Sequence, residues 1–224
     1  MIPRIIYCFW FGSKMSDARA ECFKTIQQYS NVEVKLITET NLQNYVVSQC
    51  PLHEGFEYLS STHKSDYLRS YFMYHYGGGY TDIKKCHYDW NQYFNILEES
   101  EKEFIGCKQY KAGHIAYKPY KEYYDQLVGV NCFIFKPKSN FSKLWLNETN
   151  RLLDEKISYL KDNPGTYHPR AIYGGVQGED GIFTDSKYPL LWNELLGRIF
   201  HRLQYENLGL FLYDLPFPDI TNYR

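Results

Sequence analysis

The sequence predicts an α/β fold in which helices flank a mostly parallel central sheet. Between Arg4 and Cys50, short apolar runs of strand length alternate with amphipathic helical segments. This order is expected when helices connect neighbouring parallel strands. The chain has 224 residues and is 44% hydrophobic, which suffices for one well-buried domain and falls short of two typical ones. We therefore expect residues 1–224 to form a single domain.

Charge and composition exclude several classes of protein. The net charge is −1, from 25 basic and 26 acidic residues, and the absence of a basic block argues against a nucleic-acid surface. No apolar run reaches the length of a membrane-spanning helix. The six cysteines lack a CxxC spacing, as expected for reduced thiols rather than a zinc site or a disulfide framework. We expect a cytoplasmic protein without an integral membrane segment, and leave open a peripheral contact with a membrane.

The first part of the chain has the pattern strand, helix, strand, helix. The predicted elements are a strand at Arg4–Phe11, a helix from Ser16 or Asp17 to Tyr29, a strand at Val32–Ile37 and a short helix begun by Thr40 and Gln43. The first strand is a continuous apolar run, which is typical of a strand buried on both faces. Ser16 and Asp17 are preferred helix caps, and Thr40 with Gln43 forms a capping box.

The later elements follow from the same patterns. After a linking segment at 53–61, we expect a helix ending at Gly77, a strand end at Tyr80–Lys84, and a loop and short helix within Asp89–Glu101. A strand at Glu103–Tyr110, a hairpin and helical turn within 111–126, and a strand at Gly129–Phe135 should follow. The last predicted elements are a helix at Phe141–Leu160, loops over 161–180, a helix at Leu190–Arg202 and a strand at Leu210–Leu215.

The segment from His63 to Lys84 concentrates the candidate functional residues. Asp66 and Arg69 are three apart, so they share a helix face, which differs from the face of the apolar stripe. Three glycines then supply positive φ angles and a reversal. Because side chains alternate along a strand, the following residues Tyr80, Asp82 and Lys84 are expected on one face.

A strand end of this kind has a chemical use. Carboxylates at positions i and i+2 project beyond the carboxyl edge of the sheet, where α/β folds bind ligands, and together they can hold a divalent cation that neutralises a diphosphate. Here the pair is Asp82 and Lys84, so one position is cationic. A lysine there can itself stabilise a departing phosphate. The alternative is that Asp82 is an ordinary turn residue and Lys84–Lys85 a solvated pair.

Three segments carry a resemblance to a known family. The pattern S-D-x-x-R followed by G-G-x-Y-x-D-x-D is matched by Ser65, Asp66, Arg69, Gly77, Gly78, Tyr80 and Asp82. IPRIIYCFWFG matches an opening strand through Trp10, and GVNCFIFKPKS matches a later segment through Asn131. Over about residues 2–140 the chain resembles the DXD-type glycosyltransferase family that contains Och1-like mannosyltransferases, capsular polysaccharide synthesis proteins and the catalytic domains of glucosylating toxins.

The resemblance implies a fold and an activity. The fold would be GT-A, a Rossmann-like sheet, with a donor-binding half at about 1–140 and an acceptor or closing half at about 141–224. The activity would be transfer of a sugar from a UDP- or GDP-sugar to a glycan or polysaccharide acceptor, with retention of configuration and with Mn²⁺ or Mg²⁺. By position, Trp10, Ser65 and Tyr80 would contact the nucleotide, Asp66 and Asn131 the donor sugar, Arg69 the sugar or its phosphate, and Asp82 the ribose or the metal.

The chain departs from this family at Lys84, where a second metal-binding aspartate is usual. A metal would then need Asp82 and ligands from the later half. The candidates are Glu179, Asp180, His201, Asp214 and Asp219. Of these, Asp180 lies in a glycine-flanked loop and His201 follows an apolar helical stripe. The alternative is that Asp180 is a turn residue and that His201 is a packing residue.

Two further hypotheses follow from Lys84. The protein is either a non-catalytic module that binds sugar nucleotides or glycans, or a metal-independent transferase in which Lys84 and Arg69 hold the diphosphate. Sequence alone does not separate these from a metal-dependent enzyme.

Overall fold

A computed structural model describes residues 1–12, 14–115, 117–165, 187–219 and 221. The strands are β1 (Ile5–Phe9), β2 (Glu33–Ile37), β3 (Gly78–Thr81), β4 (Phe104–Lys108), β5 (Val128–Phe135) and β6 (Phe211–Leu215). The helices are α1 (Asp17–Tyr29), α2 (Ser61–His75), α3 (Asn91–Glu99), α4 (Asn140–Asp162) and α5 (Gly197–Glu206). None of these helices has the length and apolar character needed to cross a membrane.

The six described strands form one sheet in the order β2-β1-β3-β5-β4-β6. β1 pairs in parallel with both β2 and β3, and β4 pairs in parallel with β6. β5 is antiparallel to both of its neighbours, β3 and β4. The predicted α/β architecture with a mostly parallel sheet is therefore confirmed. Because β2 and β3 lie on opposite sides of β1, the order of the strands reverses at β1. Open α/β sheets bind ligands beyond the carboxyl ends of the strands at such a point.

The first elements form where the sequence places them. β1 is buried at four of its five positions, as its continuous apolar run requires. Ser16 caps α1 through its side chain, which accepts a hydrogen bond from the Arg19 N–H at 3.3 Å. The predicted capping box at Thr40 is wrong, because the Thr40 hydroxyl contacts Thr38 and a 3₁₀ helix begins one residue after Asn41.

The predicted strand at Tyr80–Lys84 is also displaced, because β3 begins within the glycine triplet, at Gly78, and ends at Thr81. Gly77 and Gly78 have φ values of 64° and 82°, as predicted for the reversal, whereas Gly79 does not have the predicted positive φ. A Cβ at Gly77 would lie 2.6 Å from the Pro137 nitrogen, so a side chain does not fit. The glycines thus allow a helix to turn directly into a short strand beside β1 and β5.

Two later predictions need correction. The described residues of 111–126 form two 3₁₀ helices, Ala112–His114 and Lys118–Gln126, so the predicted helical turn is present and the predicted hairpin is not. Pro119, at the start of the second, lacks the N–H that a strand ladder requires. α5 begins at Gly197 rather than at Leu190, because the preceding residues form turns.

Both faces of the sheet are covered by apolar cores. One core contains large aromatic side chains from α2, α4, α5 and the sheet. The other packs α1 and α3 against the opposite face, around Ile26, Trp90 and Leu97. The sheet is therefore supported on both faces, and a ligand can approach it at the carboxyl ends of its central strands.

Candidate functional site

The candidate site lies where β1 and β3 end side by side. Tyr7 and Tyr80 are partners in the parallel ladder, so the residues that follow each strand emerge at the same edge. Trp10 follows β1, is half-buried, and donates its backbone N–H to the Ile37 carbonyl at 2.9 Å. Asp82 follows β3. The parallel pairing thus places Trp10 and Asp82, which are 72 positions apart in the chain, at the same edge of the sheet.

A network of charged side chains surrounds Asp82. Its Oδ1 atom lies 3.4 Å from an Arg69 nitrogen and accepts a hydrogen bond from the Tyr80 hydroxyl at 2.6 Å. Its Oδ2 atom lies 2.9 Å from Lys84 Nζ. Arg69 also pairs with Asp66 at 3.2 Å, so one guanidinium serves two carboxylates. These are residues that the sequence singled out, and the structure brings five of them into one cluster.

The Asp66–Arg69 pair is buried, which the sequence did not predict. Asp66 is 3% exposed and Arg69 is 7% exposed, since α2 is covered on nearly all sides. Arg69 donates to the Val130 carbonyl at 2.7 Å, and its guanidinium lies 4.5 Å from the centre of the Tyr80 ring. These contacts fix the guanidinium in one position between the helix and the sheet.

The two carboxylates have opposite shifts in pKa. Burial raises the pKa of Asp66 to about 7, although Arg69 opposes the shift and Asp82 adds to it. Burial also acts to raise the pKa of Asp82, but Lys84 and Arg69, with hydrogen bonds from Tyr80 and Lys84, outweigh it and hold that pKa at about 2. Asp82 is therefore an anion at neutral pH, whereas Asp66 exchanges a proton near pH 7. Strong shifts of this kind cluster at functional sites.

Asn131 and Ser65 lie near the network. Asn131, on β5, accepts the Asp82 N–H with its backbone carbonyl at 2.8 Å, and its side-chain Oδ1 accepts from the Cys107 thiol at 3.0 Å. A Cβ at Gly129 would lie 2.6 Å from that Oδ1 atom, so the neighbouring glycine makes room for the amide. Ser65 is half-buried on α2, next to Asp66.

One comparison with known proteins identifies a family. The family model described as capsular polysaccharide synthesis protein matches residues 2–140 of the chain. The chain belongs to this capsular polysaccharide synthesis family. The match includes Trp10, Asp66, Arg69, Asp82 and Asn131, and membership indicates a role in polysaccharide synthesis, as a transferase. A search of curated proteins and a search of solved structures each gave no match. The predicted resemblance to capsular polysaccharide synthesis proteins is therefore confirmed. The resemblance to Och1-like mannosyltransferases and to glucosylating toxin domains remains a prediction.

The described residues of this capsular synthesis protein do not fit a divalent cation at Asp82. Both carboxylate oxygens are engaged by hydrogen-bond donors, and one of them carries the Lys84 ammonium. Among the described residues, no group of three or more His, Cys, Asp or Glu side chains could hold a metal ion. A divalent cation prefers several oxygen ligands, and Asp82 supplies one carboxylate that already has partners.

The other predicted metal ligands that the structure describes lie outside the charged network around Asp82. His201 is buried on α5 beside Val128, where burial lowers its pKa to about 4. Asp214 is exposed on β6. The backbone of Asp219 forms an isolated antiparallel β-bridge with Lys85, and its carboxylate lies 4.0 Å from His87 Nε2, so Asp219 borders the loop that follows Asp82. Glu179 and Asp180 lie outside the described residues.

Two supports of the site were missed by sequence reasoning. His63, at the start of α2, is fully buried and contacts the Tyr188 hydroxyl at 2.9 Å and the Leu191 carbonyl at 3.1 Å. Arg19 on α1 donates to the Ile83 carbonyl at 2.6 Å. Both pairs join residues far apart in the chain, and no local pattern reveals them.

Proposed function

We propose that this capsular polysaccharide synthesis protein is a glycosyltransferase that moves a sugar from a UDP- or GDP-sugar to a glycan or polysaccharide acceptor, with retention of configuration. Family membership supports the role in polysaccharide synthesis. The observation that supports a nucleotide-sugar donor is the charged network of Arg69, Asp82 and Lys84 beyond the carboxyl ends of β1 and β3. Open α/β sheets bind nucleotides at such reversals of strand order. The sheet, with β5 alone antiparallel among the described strands, is consistent with a GT-A fold.

The residues have distinct proposed roles. The Trp10 ring stacks on the nucleotide base, with Tyr80 and Ser65 nearer the nucleoside. Asp66 and Asn131 contact hydroxyls of the donor sugar. Arg69 and Lys84 face the diphosphate, where negative charge develops as the bond to the sugar breaks, and cations placed there beforehand lower the barrier. Asp82 holds both cations in position.

An activity assay tests this proposal. It measures sugar transfer to a glycan acceptor, and hydrolysis of the donor, for each member of a panel of UDP- and GDP-sugars. We expect turnover with one donor class, and we expect Asp82→Asn to abolish it while circular dichroism stays native. Asp214→Asn is the matched control, because it makes the same change at an exposed position on β6. Nucleotide binding without turnover of any donor would favour the non-catalytic binding module. Near-normal activity of Asp82→Asn would contradict the site assignment.

A further inference from the structure

We propose that the Lys84 ammonium takes the place of a divalent cation in this site and binds the diphosphate of the donor directly. The inference rests on the proposed glycosyl transfer, and it makes the reaction independent of added metal. It assigns Lys84 as the residue that stabilises the leaving group.

The first support is the position of Lys84 after β3. The Lys84 N–H donates to the Asp82 carbonyl at 2.7 Å, which folds the chain back within three residues and directs Nζ to Asp82 Oδ2 at 2.9 Å. The hydrogen bond from Arg19 to the Ile83 carbonyl holds the middle of this turn. The Lys84 side chain is only 13% exposed. Lysines are rarely withdrawn from water to this degree unless they are paired. The pairing with Asp82 therefore holds the Lys84 ammonium in a defined position.

The second support is the occupation of Asp82. A metal ion bound at Oδ2 would lie against the ammonium, and two cations at such a distance repel strongly in a partly buried site. Binding at Oδ1 would displace the Tyr80 hydroxyl and weaken the contact with Arg69. The donors already present therefore oppose metal binding at Asp82.

The third support is the charge of the network. At full ionisation, Asp66 and Asp82 contribute two negative charges, and Arg69 and Lys84 contribute two positive charges. A carboxylate at position 84 would make this network more negative by two charges, which is the charge of one divalent cation. The lysine thus gives the site, without metal, the net charge that a second aspartate would give it with metal.

The fourth support is an unsatisfied donor. The Nε–H of Arg69 is buried and has no hydrogen-bond partner among the described residues. Buried polar groups nearly always have a partner, so a bound anion is a natural acceptor for this guanidinium. Arg69 and Lys84 together then form a two-cation cradle for a diphosphate.

The reaction step balances without a further reactant. The bond between the sugar C1 and the diphosphate oxygen breaks, and its electron pair leaves with that oxygen, which the ammonium and guanidinium stabilise. The acceptor hydroxyl oxygen bonds to C1, and its proton passes to the departing phosphate.

Titration calorimetry tests the inference by measuring the affinity of the protein for UDP, GDP and the parent nucleosides. Each titration is done once in EDTA and once in MnCl₂. We expect the wild-type protein to bind one diphosphate equally well in both buffers. Lys84→Met should weaken diphosphate binding by about tenfold to a hundredfold, since a hydrogen bond to a charged group is lost, and should leave nucleoside binding unchanged. Lys84→Arg should restore part of the loss. Lys85→Met, the adjacent lysine, is the matched control and should behave as wild type.

Three outcomes decide between the possibilities. Diphosphate binding that disappears in EDTA and returns with MnCl₂ would overturn the inference, as would Lys84→Met binding as tightly as wild type. If binding is EDTA-insensitive and depends on Lys84 while no donor turns over, the transfer proposal fails and Lys84 remains the diphosphate ligand. Lys84→Asp adds a positive test, because a restored carboxylate pair should make diphosphate binding depend on manganese.

Discussion

Replacing Asp66 by asparagine should stabilise the protein, and more so as the pH rises. Asp66 is nearly fully buried, and burial raises its pKa from 3.8 to about 7. Between pH 4 and 7 the folded state therefore binds more protons at this site than the unfolded state. Stability consequently falls as the pH rises through this range. Asparagine has the same shape and can accept from Arg69, but it carries no charge that must be buried.

The size of the effect follows from the pKa. A difference of one in pKa between the folded and unfolded states corresponds to about 1.4 kcal/mol, so the rise of about three at Asp66 sets an upper limit of about 4 kcal/mol above pH 7. At pH 5 the wild-type carboxyl is protonated in the folded state but ionised in the unfolded state, and this difference favours unfolding. The expected advantage of asparagine at pH 5 is therefore about 2 kcal/mol. The gap between the two proteins should therefore widen by about 2 kcal/mol from pH 5 to pH 8.

Urea denaturation at several pH values from 5 to 8.5 measures this difference. Asp162→Asn, an exposed change at the end of α4, reports the effect of losing a carboxylate charge alone. Stability curves of wild type and Asp66→Asn that run parallel across this range would refute the buried, raised-pKa description of Asp66. We also expect Asp66→Asn to lose transfer activity, so the variant would be more stable and less active.

Three other substitutions give direct tests. Gly77→Ala should lower the free energy of unfolding by more than about 1 kcal/mol, because φ is positive there and a Cβ would meet the chain at Pro137. Urea denaturation measures this loss, and the control Gly113→Ala, at an open position, should leave the free energy of unfolding nearly unchanged. Tyr80→Phe removes a donor from Asp82 and should raise its pKa from about 2. The stability that this carboxylate contributes above pH 4 would then be lost at a higher pH on acidification, which acid unfolding measures, and an unmoved transition would contradict it. Trp10→Ala should weaken nucleotide binding by about tenfold to a hundredfold, whereas Trp10→Phe keeps a stacking ring.

The fold was largely predictable, because its elements carry strong local signals. The apolar run of β1, the cap of α1 and the amphipathic pattern of α4 each specify their element without help from the rest of the chain. Errors arose where tertiary contacts decide. The Gly78–Thr81 strand exists because glycines pack closely between β1 and β5, although glycine has low strand propensity. The segment at 111–126 is tyrosine- and lysine-rich, and its weak periodicity did not exclude a hairpin.

The composition of the candidate site was predictable from the sequence, and the environment of its residues was less so. Asp66, Arg69, Asp82 and Lys84 follow from a motif with fixed spacing. A three-residue spacing predicts that Asp66 and Arg69 share a face, but it does not reveal whether that face is covered. Their burial results from packing against a strand more than fifty positions later in the sequence. Contacts of that range depend on the complete fold, so the shifted pKa values could not be predicted from sequence.

The shared guanidinium leads to a last prediction, which joins donor binding to protonation. Asp66 titrates near pH 7 because Arg69 offsets only part of the effect of burial. A bound diphosphate would draw on the same guanidinium and place more negative charge nearby, so the pKa of Asp66 should rise above 7. Diphosphate binding at pH 7 should therefore take up a fraction of a proton, and affinity should fall as the pH rises above 7. Calorimetry in buffers of different ionisation enthalpy measures this uptake, and Asp66→Asn should remove it. Binding without proton exchange in the wild-type protein would mean that the ligand does not compete with Asp66 for Arg69, and the diphosphate would then have to be placed away from this guanidinium.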